Sequence, residues 1–224
     1  MRFFPLNLDL RGKRVLVVGG GRVAGRKCLG LLRALARPVV VAPVLCGALR
    51  RLAAGGLIEH QLRGFAPEDL AEAALAFAAT SDPAVNRAVA AEARRRGIPV
   101  NVADAPELCD FTVPADLQRG DLLLTVSTGG ASPALARRLR RELAHCYGRE
   151  YALTLAILGA IRRKLLTGGG GSAYNKQILS ALAGHDLVTL VRRNALPEID
   201  QLLHTQLGPG YTLAELGIRT EDSP

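Results

Sequence analysis

Val15–Val18 is an unbroken apolar run that meets three glycines, Gly19–Gly21, before apolar positions return at Val23, Leu31 and Leu35. An apolar run without alternation reads as a parallel strand buried on both faces, and the spacing that follows reads as a helix opening near Arg22. The same succession repeats. Pro38–Val41 is a second strand ending at Ala42-Pro43, and Ile58–Leu62 is a weaker third. Pro67–Ala73 reads as a short helix with acidic residues in its first turn, and Leu75–Ala79 as a fourth strand. Asp82 is a natural N-cap because Pro83 follows at the first helical position. That helix carries Val85 and Val89 four apart and ends in Arg94–Arg96 before Gly97; Ile98–Val102 is the fifth strand. Strands alternating with helices predict an α/β unit with a doubly wound parallel sheet and right-handed crossovers, closing near Val113.

The pattern then changes. Pro114–Gly120 reads as a connector, Leu122–Val126 as a strand and Ser127–Ser132 as a loop. Ser132 is placed to cap a helix with Pro133 at its start. Leu135, Leu139 and Leu143 form an apolar stripe on that helix, with Arg137, Arg138, Arg140 and Arg141 lying off it. One strand and one helix cannot bury a core alone, so this segment is expected to pair with a second copy of the chain as a homodimer. From about Arg149 the periodicity is helical. Tyr151–Leu166 is stopped by the glycine run Gly168–Gly171, which reads as a hinge or loop. Tyr174–Ala183, Pro197–Leu207 and a short Thr212–Leu216 follow. Three parts result: residues 1–113, a dimerisation segment over 114–148 and an all-helical C-terminal domain over 149–224.

Composition narrows the partners. The chain has 224 residues, 49% of them hydrophobic, which suits a globular protein with a proper core. Residues 1–5 do not read as a secretory leader, and the longest uncharged apolar run, Tyr151–Ile161, is too short for a bilayer, so a cytoplasmic protein with no membrane partner is expected. Cys28, Cys46, Cys109 and Cys146 are scattered without a C-x-x-C pair, which fits reduced thiols. The net charge is +9, and residues 1–150 carry 22 Lys and Arg against 14 Asp and Glu. An anionic ligand is therefore expected on this part of the chain, with solvated arginine on helix faces as the plainer account. Nucleic acid is disfavoured, because aromatic residues make up 4% and Trp is absent, leaving few platforms for base stacking.

Gly19, Gly21 and Ala24 fit the G-x-G-x-x-G/A dinucleotide fingerprint between a strand and a helix. Gly19 would allow the sharp turn, Gly21 the approach of a pyrophosphate, and Ala24 close helix–strand packing, with the helix N-terminus facing the phosphates. A glycine turn with no ligand is the alternative. After the second strand, Ala42-Pro43-Val44 lacks the acidic residue that usually holds the ribose, so the choice between NAD and NADP stays open. Asp104 follows the fifth strand, where it either takes a proton as hydride leaves or caps a turn before Pro106. Ser127 and Thr128 could bind an acidic substrate or belong to a turn. The histidines (His60, His145, His185 and His204) share no metal-ligand spacing, so no metal site is expected.

Taken together, the blocks Val17–Ala24 with Arg26-Lys27, Val41–Pro43, Ala78–Asp82 with Asn86, Val100–Pro106, Cys109–Pro114 and Val126–Pro133 occur in one order that resembles a known family. That family is precorrin-2 dehydrogenase/sirohydrochlorin ferrochelatase, the dehydrogenase–chelatase module of siroheme synthase. The likeness is close over about residues 5–145 and looser in the helical tail. It implies a Rossmann-like domain, a dimerisation segment and a helical domain forming a cleft for a tetrapyrrole. It also implies NAD-dependent oxidation of precorrin-2 to sirohydrochlorin, with insertion of Fe2+, as substrate, in many members. The family's key aspartate falls on Asp104. Its cofactor contacts match Arg22, Val23, Pro43 and Val44, to which the glycine turn adds Gly19 and Gly21 and the strand end adds Thr80. The family's loop serine corresponds to Thr128, a departure, next to Ser127. A carboxylate-rich macrocycle would suit the arginine-rich first 150 residues. The competing reading is an NAD-sensing regulator with a basic nucleic-acid surface. Such a protein needs a DNA-reading module, and none is expected beside a first strand that begins by Arg14 and a nearly neutral helical tail.

Overall fold

The computed structural model describes residues 3–167, 179, 180, 182 and 187–218. The chain divides into two compact units, Met1–Val113 and Pro114–Pro224.

The first unit is built on five parallel strands: β1 (Arg14–Val18), β2 (Arg37–Val41), β3 (Glu59–Gln61), β4 (Leu75–Ala78) and β5 (Val100–Val102), in the order β3-β2-β1-β4-β5. Its helices are α1 (Arg22–Arg33), α2 (Gly47–Ala54) and α3 (Pro83–Arg95). The central strand explains the unbroken apolar run. Val15 and Val17 pack into a core with Ala24, Cys28 and Leu31 of α1, whereas Leu16 and Val18 pack into a second core with Val89, Ala90 and Ala93 of α3. Each fully buried aliphatic side chain of this kind contributes about 1.5–3 kcal/mol. This is the doubly wound, Rossmann-like sheet that the alternation predicted.

Three local readings change. Pro67–Leu70 is a 3-10 turn rather than a helix. Arg63 and the Ala66 N–H bind the buried Asp69 carboxylate and close that segment after one turn. The helix α2 was not anticipated: it is only eight residues long, and of these only Leu49 is buried. Strands β3 and β5 are also shorter than the segments expected for them, Ile58–Leu62 and Ile98–Val102.

In the second unit, the supposed connector is a strand. β6 (Ala115–Arg119) pairs antiparallel with β7 (Leu122–Val126), Ala115 facing Val126 and Arg119 facing Leu122. Gly120, at φ +55°, makes the two-residue turn with Asp121 that such a hairpin requires. Only Leu117 of β6 is fully buried, which left the strand without a visible apolar pattern. Helix α4 (Pro133–Cys146) packs on the hairpin and is capped as expected by Ser132, whose Oγ accepts the Leu135 N–H at 3.2 Å. Helices α5 (Glu150–Thr167), α6 (Leu187–Arg192) and α7 (Leu196–Leu207) share a core of Ile157, Ile161, Leu187, Ile199 and Leu203. Thr212–Leu216 forms turns, not a helix. The Gly168–Gly171 run and most of Tyr174–Ala183 lie outside the described residues. Among the described residues no helix is long and apolar enough to cross a membrane.

Candidate dinucleotide site

A cavity of about 640 Å³ opens at the C-terminal ends of β1, β2 and β4. This is the point where the strand order reverses direction, the usual ligand crevice of a doubly wound sheet. The glycine run forms its floor. Gly19 has φ +122°, and a Cβ there would strike the Ala79 carbonyl. Gly20 matters as well: a Cβ would fall on the Val44 carbonyl oxygen, while its own carbonyl accepts the Cys46 N–H at 2.7 Å. The middle glycine therefore lets the segment after β2 fold against the turn, a role that the fingerprint alone did not reveal. Gly21 is different. It is the N-cap of α1, its φ of −82° suits any residue, and a Cβ would meet nothing within 4 Å.

The open space above Gly21 lies at a helix end with no side-chain cap, and the first hydrogen bond of the turn runs from the Gly25 N–H to Gly21 O. The amides of Arg22 and Val23 thus remain available, as an anion-binding helix N-terminus requires. No acidic side chain occupies the first turn of α1. Ala24, fully buried, allows the helix to sit close on β1. Roomy, small-residue walls and unbonded helix amides fit a dinucleotide diphosphate.

Of the residues expected in the site, Gly19, Gly21, Pro43, Val44 and Thr80 line the cavity, while Arg22 and Val23 sit just beyond it in the first turn of α1. The Thr80 hydroxyl is engaged within its own turn, lying 2.8 Å from Asn86 Oδ1 and 3.0 Å from Asp82 O. Buried Asn86 also donates to Thr80 O at 3.1 Å, so it shapes this wall from behind. Asp82 caps α3 through the Ala84 and Val85 amides. Cys46, Gly64 and Phe65 also line the cavity and were not anticipated. They follow β2 and β3 in loops without a recognisable motif. His60 donates from Nε2 to Ala42 O at 2.9 Å and so supports the β2 end.

Asp104 is outside the cavity lining. Ala78 of β4 aligns with Val102 of β5, so Thr80 and Asp104 each stand two residues past one aligned pair. Asp104 is exposed and has φ +60°, a left-handed backbone that is uncommon outside glycine. Lys27 on α1 lies 5.1 Å over the Phe77 ring, and burial pulls its ammonium below the ordinary lysine range. In the second unit, Thr128 Oγ1 accepts the Ser132 N–H at 3.1 Å and thereby shapes the start of α4. Exposed Ser127 bonds only the Gly129 amide, at 3.3 Å. Among the described residues no group of three His, Cys, Asp or Glu is arranged to hold a metal.

Fold and crevice define an NAD(P)-binding protein, and a family model described as NAD(P)-binding matches residues 6–115. A second model, "Sirohaem biosynthesis protein central", matches residues 119–145. Among curated relatives, siroheme synthase of Methylobacillus flagellatus is 39% identical over 91% of this chain and 44% of its own length. Siroheme synthase of Nitrosomonas europaea is 47% identical over 68% of this chain and 34% of its own. The chain thus spans less than half the length of these relatives. The solved structure of SirC, a precorrin-2 dehydrogenase, superposes with a TM-score of 0.71 at 29% identity, covering 89% of this chain and all of that one. The chain is thus similar to siroheme synthases and to a precorrin-2 dehydrogenase, as its ordered motifs led us to expect.

Proposed function

We propose that this chain oxidises precorrin-2 to sirohydrochlorin with NAD. The observation that carries the reading is the open α1 N-terminus over Gly21 at the switch point, in a chain whose motifs and relatives belong to siroheme biosynthesis. The Arg22 and Val23 amides hold the diphosphate, Gly19 and Gly21 let it approach, and the Pro43, Val44 and Thr80 segments wall the crevice. Bound NAD supplies the hydride acceptor for a ring carbon of the macrocycle. Asp104 takes the proton released with that hydride, its turn holding the carboxylate at the rim of the sheet. Ser127 and Thr128 contribute to the binding of the anionic substrate.

The segment 114–148 serves as the dimerisation element and 149–224 as a helical domain of a cytoplasmic homodimer. Leu123 on β7 and Leu135 and Leu139 on α4 are exposed, which favours cover by a second copy. Insertion of Fe2+ would draw on the same carboxylate, as a base for the pyrrole N–H protons.

The test is a spectrophotometric assay with precorrin-2 and NAD, followed by addition of Fe2+. Sirohydrochlorin should form, and Asp104→Asn should slow it about 100-fold or more, as loss of a general base does, with NAD affinity unchanged. Full activity in Asp104→Asn removes the assigned role, and absence of turnover in the parent chain removes the reaction. Spectral conversion to siroheme on adding Fe2+ would establish the second activity.

A further inference from the structure

Asp104 stands within a closed excursion of the chain. Its ends are tied twice: the Asp110 N–H donates to Val100 O at 2.9 Å, and the Val100 N–H donates to Asp110 Oδ2 at 3.0 Å. Arg94 of α3 faces the other Asp110 oxygen at 3.7 Å, and Asn101 Nδ2 donates to Phe111 O at 2.9 Å. Those contacts close the base of the loop but do not reach its tip. A left-handed non-glycine residue persists only where its surroundings over-determine it. At Asp104 those surroundings include a thiol.

Cys109 Sγ accepts the Val102 N–H at 3.2 Å. Its own S–H reaches Val102 O at 3.2 Å or Ala105 O at 3.4 Å. Val102 and Ala105 are the two shoulders of the Ala103-Asp104 turn, and with its S–H on Ala105 O the one sulfur bonds both. Among the described residues it is the side chain that bonds the backbone of this turn, whose remaining ties are the Ala103 N–H to Ala78 O and the Leu108 N–H to Ala105 O. Packing is the simpler account of Cys109, since it borders the core that includes Val100 and Val102. Packing by itself does not require that both a donor and an acceptor on the turn be met.

We propose that Cys109 is a positioning residue for Asp104: its thiol sets the left-handed turn that presents the carboxylate, and it touches neither substrate nor cofactor. The inference rests on the assignment of Asp104 as the proton acceptor. It gives the thiol a task that needs hydrogen bonding, not bulk.

Cys109→Val keeps the bulk and removes the bonding, Cys109→Ser keeps the bonding, and Cys109→Ala removes both. In the full chain, with precorrin-2 and NAD, Cys109→Val and Cys109→Ala should each lower kcat about tenfold, the scale of a modest misplacement of a reacting group. KM and NAD affinity should hold, and Cys109→Ser should recover most of the rate. In an Asp104→Asn background, Cys109→Val should change the rate less than about twofold, because paired residues acting as a unit are not additive. Amide exchange supplies a readout apart from turnover: the Val102 amide should exchange faster in Cys109→Val and in Cys109→Ala, so either variant that folds suffices. A Cys109→Val enzyme as fast as the parent, an equal loss in the Asp104→Asn background, or unchanged exchange at Val102 overturns the proposal. An Asp104→Asn chain as fast as the parent overturns the reading of Asp104 itself, and the positioning role with it.

Discussion

Gly21→Asp separates ligand binding from folding more cleanly than any other change at the crevice. The backbone at Gly21, φ −82° and ψ −176°, accepts a side chain without strain, and the new Cβ meets no atom within 4 Å. Aspartate is moreover among the preferred N-cap residues, and α1 has no side-chain cap, so the helix should gain a few tenths of a kcal/mol over glycine. The same carboxylate would stand where the diphosphate approaches the α1 amides. Two like charges about 4–5 Å apart near a protein surface repel by roughly 1–4 kcal/mol, depending on the effective dielectric. With two charges on the diphosphate the net cost is about 2–4 kcal/mol, or roughly 30- to 1,000-fold in Kd. The chain has no Trp, so NADH can be titrated by its own fluorescence without a protein tryptophan signal, with calorimetry as a check. Thermal unfolding without ligand should shift upward or stay level. NAD binding as tight as the parent's would refute the placement of the diphosphate. Loss of binding together with a large drop in Tm would refute the claim that Gly21 is conformationally free.

Two further outcomes test the rest of the molecule. Asp69 is buried and ion-paired with Arg63; burial pushes its carboxyl up, but the Arg63 and Ala66 hydrogen bonds outweigh this and hold it below the ordinary carboxylate range. Its contribution is therefore complete above about pH 4 and lost as the pH falls through the depressed value. Arg63→Ala should lower stability at neutral pH and move acid unfolding to higher pH, followed by circular dichroism; an unchanged acid transition would discount the pair. Light scattering at micromolar concentration should give the mass of a dimer; a stable monomer would mean that the exposed Leu135 and Leu139 are covered by something other than a second copy.

Much of the first unit was legible because its order is local. An unbroken apolar strand, a glycine turn and a helix with apolar positions at fixed spacing demand burial on two faces, and a parallel sheet supplies it. Asp82 and Ser132 were readable as caps for the same reason: each satisfies amides two or three residues ahead of it. The hairpin strand Ala115–Arg119 and helix α2 were hidden, since both are short and each buries a single side chain. Still less visible was what distant segments do to one another. That Gly20 must lack a Cβ depends on a Val44 carbonyl from beyond β2, and the wall at Thr80 is braced by Asn86 from α3. That the Asp104 turn is tied by Cys109 follows from a loop doubling back on itself. Spacing along the chain records which faces must leave water, and this was enough to name the sheet and its glycine turn. Which backbone atoms then come within a bond length of forbidding a side chain, or of holding a carboxylate in place, is decided only when the strands have been laid side by side.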